Sequence, residues 1–143
     1  MIHLSGTHLD AIVRHGEAGY PYEACGMLIG TTEPDAHKRV EHILELGNAR
    51  GEDDRCSRFL ISPADMVRGM RFAAERDLDV LGFYHSHPDH PALPSDYDLE
   101  HAWPFYSYVI VSISGGKAGD MTSWVLTGDD CPMFAFEPII AGD

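Results

Sequence analysis

The stretch GFYHSHPDHPALPSDYD, residues 82–98, sets His85, Ser86 and His87 at the end of an apolar run and follows them with Asp89, His90, Ser95 and Asp98. An extended chain turns successive side chains to opposite faces, so His85 and His87 point to one side and Ser86 to the other. Two imidazoles on one side can grip one ion. Zinc suits them, because it accepts neutral nitrogen and carboxylate oxygen in a tetrahedral site, and a catalytic site takes three protein ligands and leaves the fourth position to water. The third ligand must come from nearby in space, and two readings are open: one through Asp89 and His90, the other through Asp98 beyond the gap.

These side chains need a frame. LDVLGFYHSH reads as a central strand feeding the motif, and SDYDLEHAW as a short helix after it. Upstream, Thr7 and Asp10 form an N-cap pair for a helix over Leu9 to Ala18, ended by Gly19 and Pro21, and CGMLIG is a buried strand bounded by glycine. Arg39 to Leu46 and Ser57 to Ile61 are further strands, and the polar run Gly47 to Arg55 between them reads as a mobile loop. Ser62 as N-cap and Pro63 at the first helical position open the clearest helix, which stops near Asp77 and turns Met66, Val67, Met70, Ala73 and Ala74 toward the core. SYVIVSIS, MTSWVLTG and PMFAFEPII complete the chain as three strands. Helices and strands mix without regular alternation, so the expected class is α+β, a mixed β-sheet flanked by helices.

At 143 residues the chain reads as a single domain, 1–143, large enough to bury a core without a structural metal. Its formal charge of −13 opposes binding to nucleic acid or an anionic membrane, and no apolar run has the length of a membrane span. The start MIHLSGTHLD lacks the pattern of a signal peptide. Cys25, Cys56 and Cys131 are far apart, odd in number and without a CxxC pair, so neither a disulfide framework nor a cysteine-rich zinc site is expected, and the setting reads as reducing and cytoplasmic.

Taken through Asp89 and His90, the string is similar to the HxHxDH pattern of the metallo-β-lactamase fold. That fold draws further ligands from downstream, and after His90 this chain has one histidine, His101. Taken as His85-x-His87, seven residues, Ser95, two residues, Asp98, it resembles the JAMM (MPN-plus) metalloproteases. YPYEACGMLIG, residues 20–30, is similar to the segment that supplies that family's glutamate, and the resemblance runs from the first helix to Ser114. The resemblance implies a fold with a cytidine-deaminase-like core and a Zn2+ ion held by His85, His87 and Asp98. It also implies Glu23 as general base and Ser95 as the donor that steadies the oxyanion. Compact prokaryotic members act at the C-terminal Gly-Gly tail of small ubiquitin-like (β-grasp) proteins. The implied function is therefore hydrolysis of a peptide or isopeptide-like bond there: sulfur-carrier tail processing, cysteine release from a carrier adduct, or deconjugation.

Each residue has an ordinary reading as well. Ser95 and Asp98 form an S-x-x-D pair that caps a helix whether or not metal is present. Cys25 reads as a small buried residue, Asp89 and His90 as exposed loop residues, and His101 and Trp103 as packing or capping the short helix. The competing function is a non-catalytic MPN-type interaction module, against which all five expected residue types are in place. A zinc deaminase would need H-x-E and P-C-x-x-C, which this chain lacks.

Overall fold

The computed structural model describes residues 1–46, 62–128 and 132–142. In chain order the elements are β1 (Ile2–Leu4), α1 (Gly6–Gly19), β2 (Cys25–Thr32), β3 (Lys38–Leu46), α2 (Pro63–Glu75), β4 (Asp79–Pro88), α3 (Asp96–His101), β5 (Ser107–Ser114), β6 (Lys117–Thr127), β7 (Met133–Glu137) and β8 (Ile139–Ala141). The strands form one mixed sheet in the order β7-β6-β5-β4-β2-β3-β1-β8. The expected α+β class is therefore the observed one.

Strand β4 lies at the middle, antiparallel to β2 and parallel to β5, with α3 in the crossover between the parallel pair. Its alternation divides the core in two. Tyr84 joins Ile12 of α1, Leu28, Val109 and Ile113 on one face, and Phe83 joins Met27, Ala73 of α2 and Tyr108 on the other. The close approach of β4 to β5 needs Gly82, where a Cβ would stand 2.0 Å from the Ser107 carbonyl oxygen.

Several expectations are corrected. The N-cap of α1 is Ser5, whose hydroxyl accepts from the His8 N–H, so the helix starts before the Thr7–Asp10 pair. Helix α2 is capped by Ser62 as expected, but it buries Gly69 and Ala73 and leaves Val67, Met70 and Ala74 exposed. The reason is steric: without a side chain at Gly69 the helix settles onto Met27, and the buried stripe rotates away from Met70. PMFAFEPII makes two strands rather than one. Pro138 has no N–H to continue the ladder, and the chain changes partners there, from β6 to β1. Strand β1, pairing β3 and β8, had no sequence signal at its three-residue length.

Cys25 is buried, as expected, but it is disulfide-bonded. That corrects the expectation of no disulfide: sequence separation does not limit which sulfurs a fold brings together. The loop expected over Gly47 to Arg55 and the strand over Ser57 to Ile61 lie outside the described residues. Among the described residues no helix is long and apolar enough to cross a membrane.

Candidate metal centre

The last turn of the pleat in β4 does what alternation requires. His85 and His87 emerge on the face shared with Phe83, while Ser86 turns toward α1, beside Gly16. Their Nε2 atoms stand 2.9 Å apart. The Nδ1–H of His87 donates to the Pro91 carbonyl oxygen at 3.0 Å. A carbonyl can only accept, so this bond fixes the tautomer and turns the Nε2 lone pair inward, as outer hydrogen bonds do for metal-ligating histidines.

Asp98 arrives from α3. Ser95 and Asp98 form a reciprocal capping box: the Asp98 N–H donates to Ser95 Oγ at 3.0 Å, and the Ser95 N–H donates to Asp98 Oδ2 at 2.8 Å. The capping reading and the ligand reading thus coexist, because the cap aims the carboxylate. Asp98 Oδ2 is 3.6 Å from His85 Nε2 and 3.5 Å from His87 Nε2. Among the described residues this is the one group of three histidine, cysteine or carboxylate side chains placed to hold a metal.

The donors fit zinc. Bonds of about 2.05 Å in a tetrahedron set neighbouring ligand atoms about 3.3 Å apart, close to the three separations seen. Protonation agrees for two of the three. Burial pushes the His85 imidazole down to about 4 against the pull of Asp98, so it is neutral and able to ligate at neutral pH. Burial works upward on the Asp98 carboxyl, but the two neighbouring imidazoles and the hydrogen bond from the Ser95 N–H hold it well below its ordinary value. At His87 burial works downward, and hydrogen bonding to Asp98 and Pro91 with the charges of Asp98 and Glu23 carries it upward. His87 is therefore where protons compete with metal.

Glu23 comes from the turn between α1 and β2, and it lines with His87, His90, Pro91, Leu93, Pro94, Ser95 and Asp98 an open cleft of about 370 Å³. All five sequence-derived site residues therefore meet, with the completely buried His85 beneath the others. Asp89, the third ligand of the alternative pattern, turns away: Tyr20 OH donates to its Oδ2 at 2.7 Å and the Gly115 N–H to its Oδ1 at 2.9 Å. His90 reaches the cleft wall and not the donor cluster. Trp103 neither packs nor caps as expected. Its ring is 63% exposed, with its backbone N–H donating to Tyr108 OH, and the cap is Ala102. The His101 side chain lies outside what the structure describes.

Sequence reasoning missed the cleft wall of Pro91, Leu93 and Pro94, and it missed Ser86. The Ser86 hydroxyl is buried and accepts from the Ala24 N–H at 2.8 Å, next to Glu23. Its position between two ligands was the available signal.

The chain is similar to known proteins. The family model of prokaryotic homologs of the JAB domain matches residues 6–127. The chain is 31% identical over 132 residues to a desampylase of Haloferax volcanii, covering 89% of this chain and 88% of the relative. It is 31% identical over 118 residues to the CysO-cysteine peptidase of Mycobacterium tuberculosis, covering 81% and 76%. The crystal structure of a JAB1/MPN domain protein from Archaeoglobus fulgidus superposes with a TM-score of 0.63 at 17% identity, covering the whole of both chains, which speaks to the fold alone. With the His85–His87–Asp98 cluster on that fold, the chain belongs to the prokaryotic JAB-domain family of JAMM/MPN proteins and is a zinc metallopeptidase.

Proposed function

We propose that the protein hydrolyses the peptide or isopeptide-like bond that follows the C-terminal Gly-Gly tail of a small ubiquitin-like, β-grasp protein, either a sulfur carrier or a protein conjugate. The observation that carries this reading is the depth of the donors. The side chains of His85, Asp98 and His87 are only 1%, 5% and 12% exposed, and Asp98 and His87 line the cleft. A chain end without side chains can bring its carbonyl that deep, whereas a bulky residue meets Leu93 and the prolines. The relatives named desampylase and CysO-cysteine peptidase support a carrier or its conjugate as substrate.

His85, His87 and Asp98 would hold zinc. When bound, zinc polarises the scissile carbonyl and lowers the pKa of water toward neutrality. Glu23 takes the proton from the attacking water as its oxygen adds to the carbonyl carbon, then delivers it to the nitrogen as the C–N bond breaks. Ser95 has its oxygen engaged as acceptor by the Asp98 N–H and keeps its own proton to donate to the oxyanion. The tail lies extended beside the sheet, bonded through its backbone.

The test is incubation of zinc-loaded protein with β-grasp carriers whose Gly-Gly tails are extended by a peptide or capped by cysteine, read by intact mass. Cleavage after the glycines is expected, abolished by Glu23→Gln with zinc content unchanged, and by proline at the penultimate glycine. A zinc-loaded protein that leaves every such tail intact would overturn the substrate assignment. Cleavage surviving Glu23→Gln would overturn the base.

A further inference from the structure

Glu23 belongs to no helix or strand. It sits in the residues 20–24 that join α1 to β2, and a base on such a segment needs something to hold it. Hydrogen bonds on either side of it run to the ligand strand and its continuation. On the C-terminal side of Glu23, the Ala24 N–H donates to Ser86 Oγ at 2.8 Å and the Ser86 N–H donates to the Ala24 carbonyl oxygen at 2.9 Å. This pair is buried: Ser86 and Ala24 are each 1% exposed. On the N-terminal side, Tyr20 OH donates to Asp89 Oδ2 at 2.7 Å.

Asp89 is itself fixed. It adopts a left-handed φ of 58°, its N–H donates to the Ile113 carbonyl oxygen at 2.6 Å, and its Oδ1 accepts from the Gly115 N–H at 2.9 Å. The tyrosine hydroxyl is thus tied to the β5–β6 turn as well as to the turn after His87. One anchor lies between the two ligand histidines and the other two residues beyond them, so the base segment is tied on both sides to the stretch of chain that carries His85 and His87.

We propose that Ser86, and Asp89 acting through Tyr20, are positioning residues for Glu23: side-chain hydrogen bonds to Ser86 on the ligand-bearing strand and to Asp89 in the turn after it, one on each side of Glu23, hold its carboxylate in register with the His85–His87–Asp98 cluster. The proposal rests on Glu23 being the base. It differs from a general stabilising role in what it predicts. Loosening either anchor leaves the donors in place and lets the carboxylate wander, so the loss falls on kcat, where small misplacements are costly. Substrate binding and zinc retention stay as they were.

The experiment uses Ser86→Ala and Tyr20→Phe, singly and together, in the full chain. Four quantities are measured: zinc per chain, unfolding midpoint, backbone hydrogen exchange at Ala24 and Tyr22, and cleavage of a Gly-Gly-tailed carrier extended by a peptide. Expected for Ser86→Ala is full zinc content, an Ala24 amide exchanging at least about tenfold faster, and kcat lowered about tenfold with KM within about twofold. Tyr20→Phe removes a more exposed bond, so its effect on kcat is about threefold and its exchange signal is at Tyr22, whose N–H donates to the Gly19 carbonyl oxygen. Exchange at Ala24 that is unchanged by Ser86→Ala overturns the proposal, whatever the activity. So does a loss confined to KM, a loss in proportion to missing zinc, or unchanged kcat. If the wild type cleaves no such carrier, the substrate reading fails by itself, and the exchange and zinc measurements still decide whether the anchors exist.

Discussion

In the proposed mechanism Ser95 carries two tasks on one hydroxyl. Its oxygen caps α3 and thereby orients Asp98, while its hydrogen remains to meet developing negative charge. Removing it should therefore act on two observables of different size. Ser95→Ala is expected to lower kcat about 100-fold at saturating zinc, as loss of one oxyanion donor does. It should weaken zinc binding only modestly, because a lost cap costs about 1 kcal/mol. Steady-state kinetics beside a zinc titration separates the two. Wild-type kcat in zinc-saturated Ser95→Ala would leave the residue with capping alone. At this scale the pairing of His85 with His87 and the Ser95–Asp98 cap were legible from residue type and spacing, since His-x-His on a strand and S-x-x-D at a helix start are local geometries, whereas the choice of Asp98 and the roles expected of Glu23 and Ser95 came from the family resemblance.

Among the elements, α1 and β4 meet through a half-buried polar contact on the face away from the metal. His15 Nδ1 is 2.6 Å from the Tyr84 hydroxyl, and its Nε2 is 4.0 Å from Glu45 Oε1 on β3. Burial pushes His15 down from its ordinary value of 6.5, with Glu45 opposing in part. The sign follows: between the depressed folded value and 6.5 the unfolded chain binds a proton that the folded chain refuses, so stability is lost as pH falls below 6.5. The unfolding midpoint of the metal-free protein is expected to drop from about pH 7.5 to about pH 5.5, and His15→Gln should shrink that drop, leaving the share that the depressed His85 contributes. A variant whose pH dependence matches the wild type would remove His15 from the account. Burial also pushes the Tyr84 phenol far up, so the hydroxyl stays protonated throughout. No sequence pattern marked this contact, because its partners lie 69 residues apart.

For the whole molecule, 23 acidic residues against 10 basic ones make self-repulsion the dominant long-range term. Among the described residues the ion pairs are mostly at the surface, such as Arg39 with Glu33 and Arg68 with Asp65, and each offsets little of it. Screening should then stabilise the fold. Raising NaCl from about 0.05 M to about 1 M is expected to raise the unfolding midpoint by several degrees, since the Debye length shrinks to about 3 Å. A midpoint that falls with salt would mean that specific ion pairs outweigh the net charge. The same charge agrees with a protein substrate in preference to nucleic acid.

The sequence by itself determined what is local. It set the alternation that pairs His85 with His87, the cap that opens α2 at Ser62, the reciprocal cap at Ser95 and Asp98, and the apolar runs that became β2, β4 and β5. These depend on dihedral preferences and on hydrogen bonds that span three or four residues, which a short window contains. Tertiary structure decided the rest. It turned Met70 outward by seating Gly69 on Met27, and it carried β8 to the opposite edge of the sheet from β7. It sent Asp89 to Tyr20 instead of to the metal, and it brought Ala24 to Ser86 across 62 residues. Those outcomes depend on strand register and on which backbone can approach which, quantities that exist only once the chain has crossed itself.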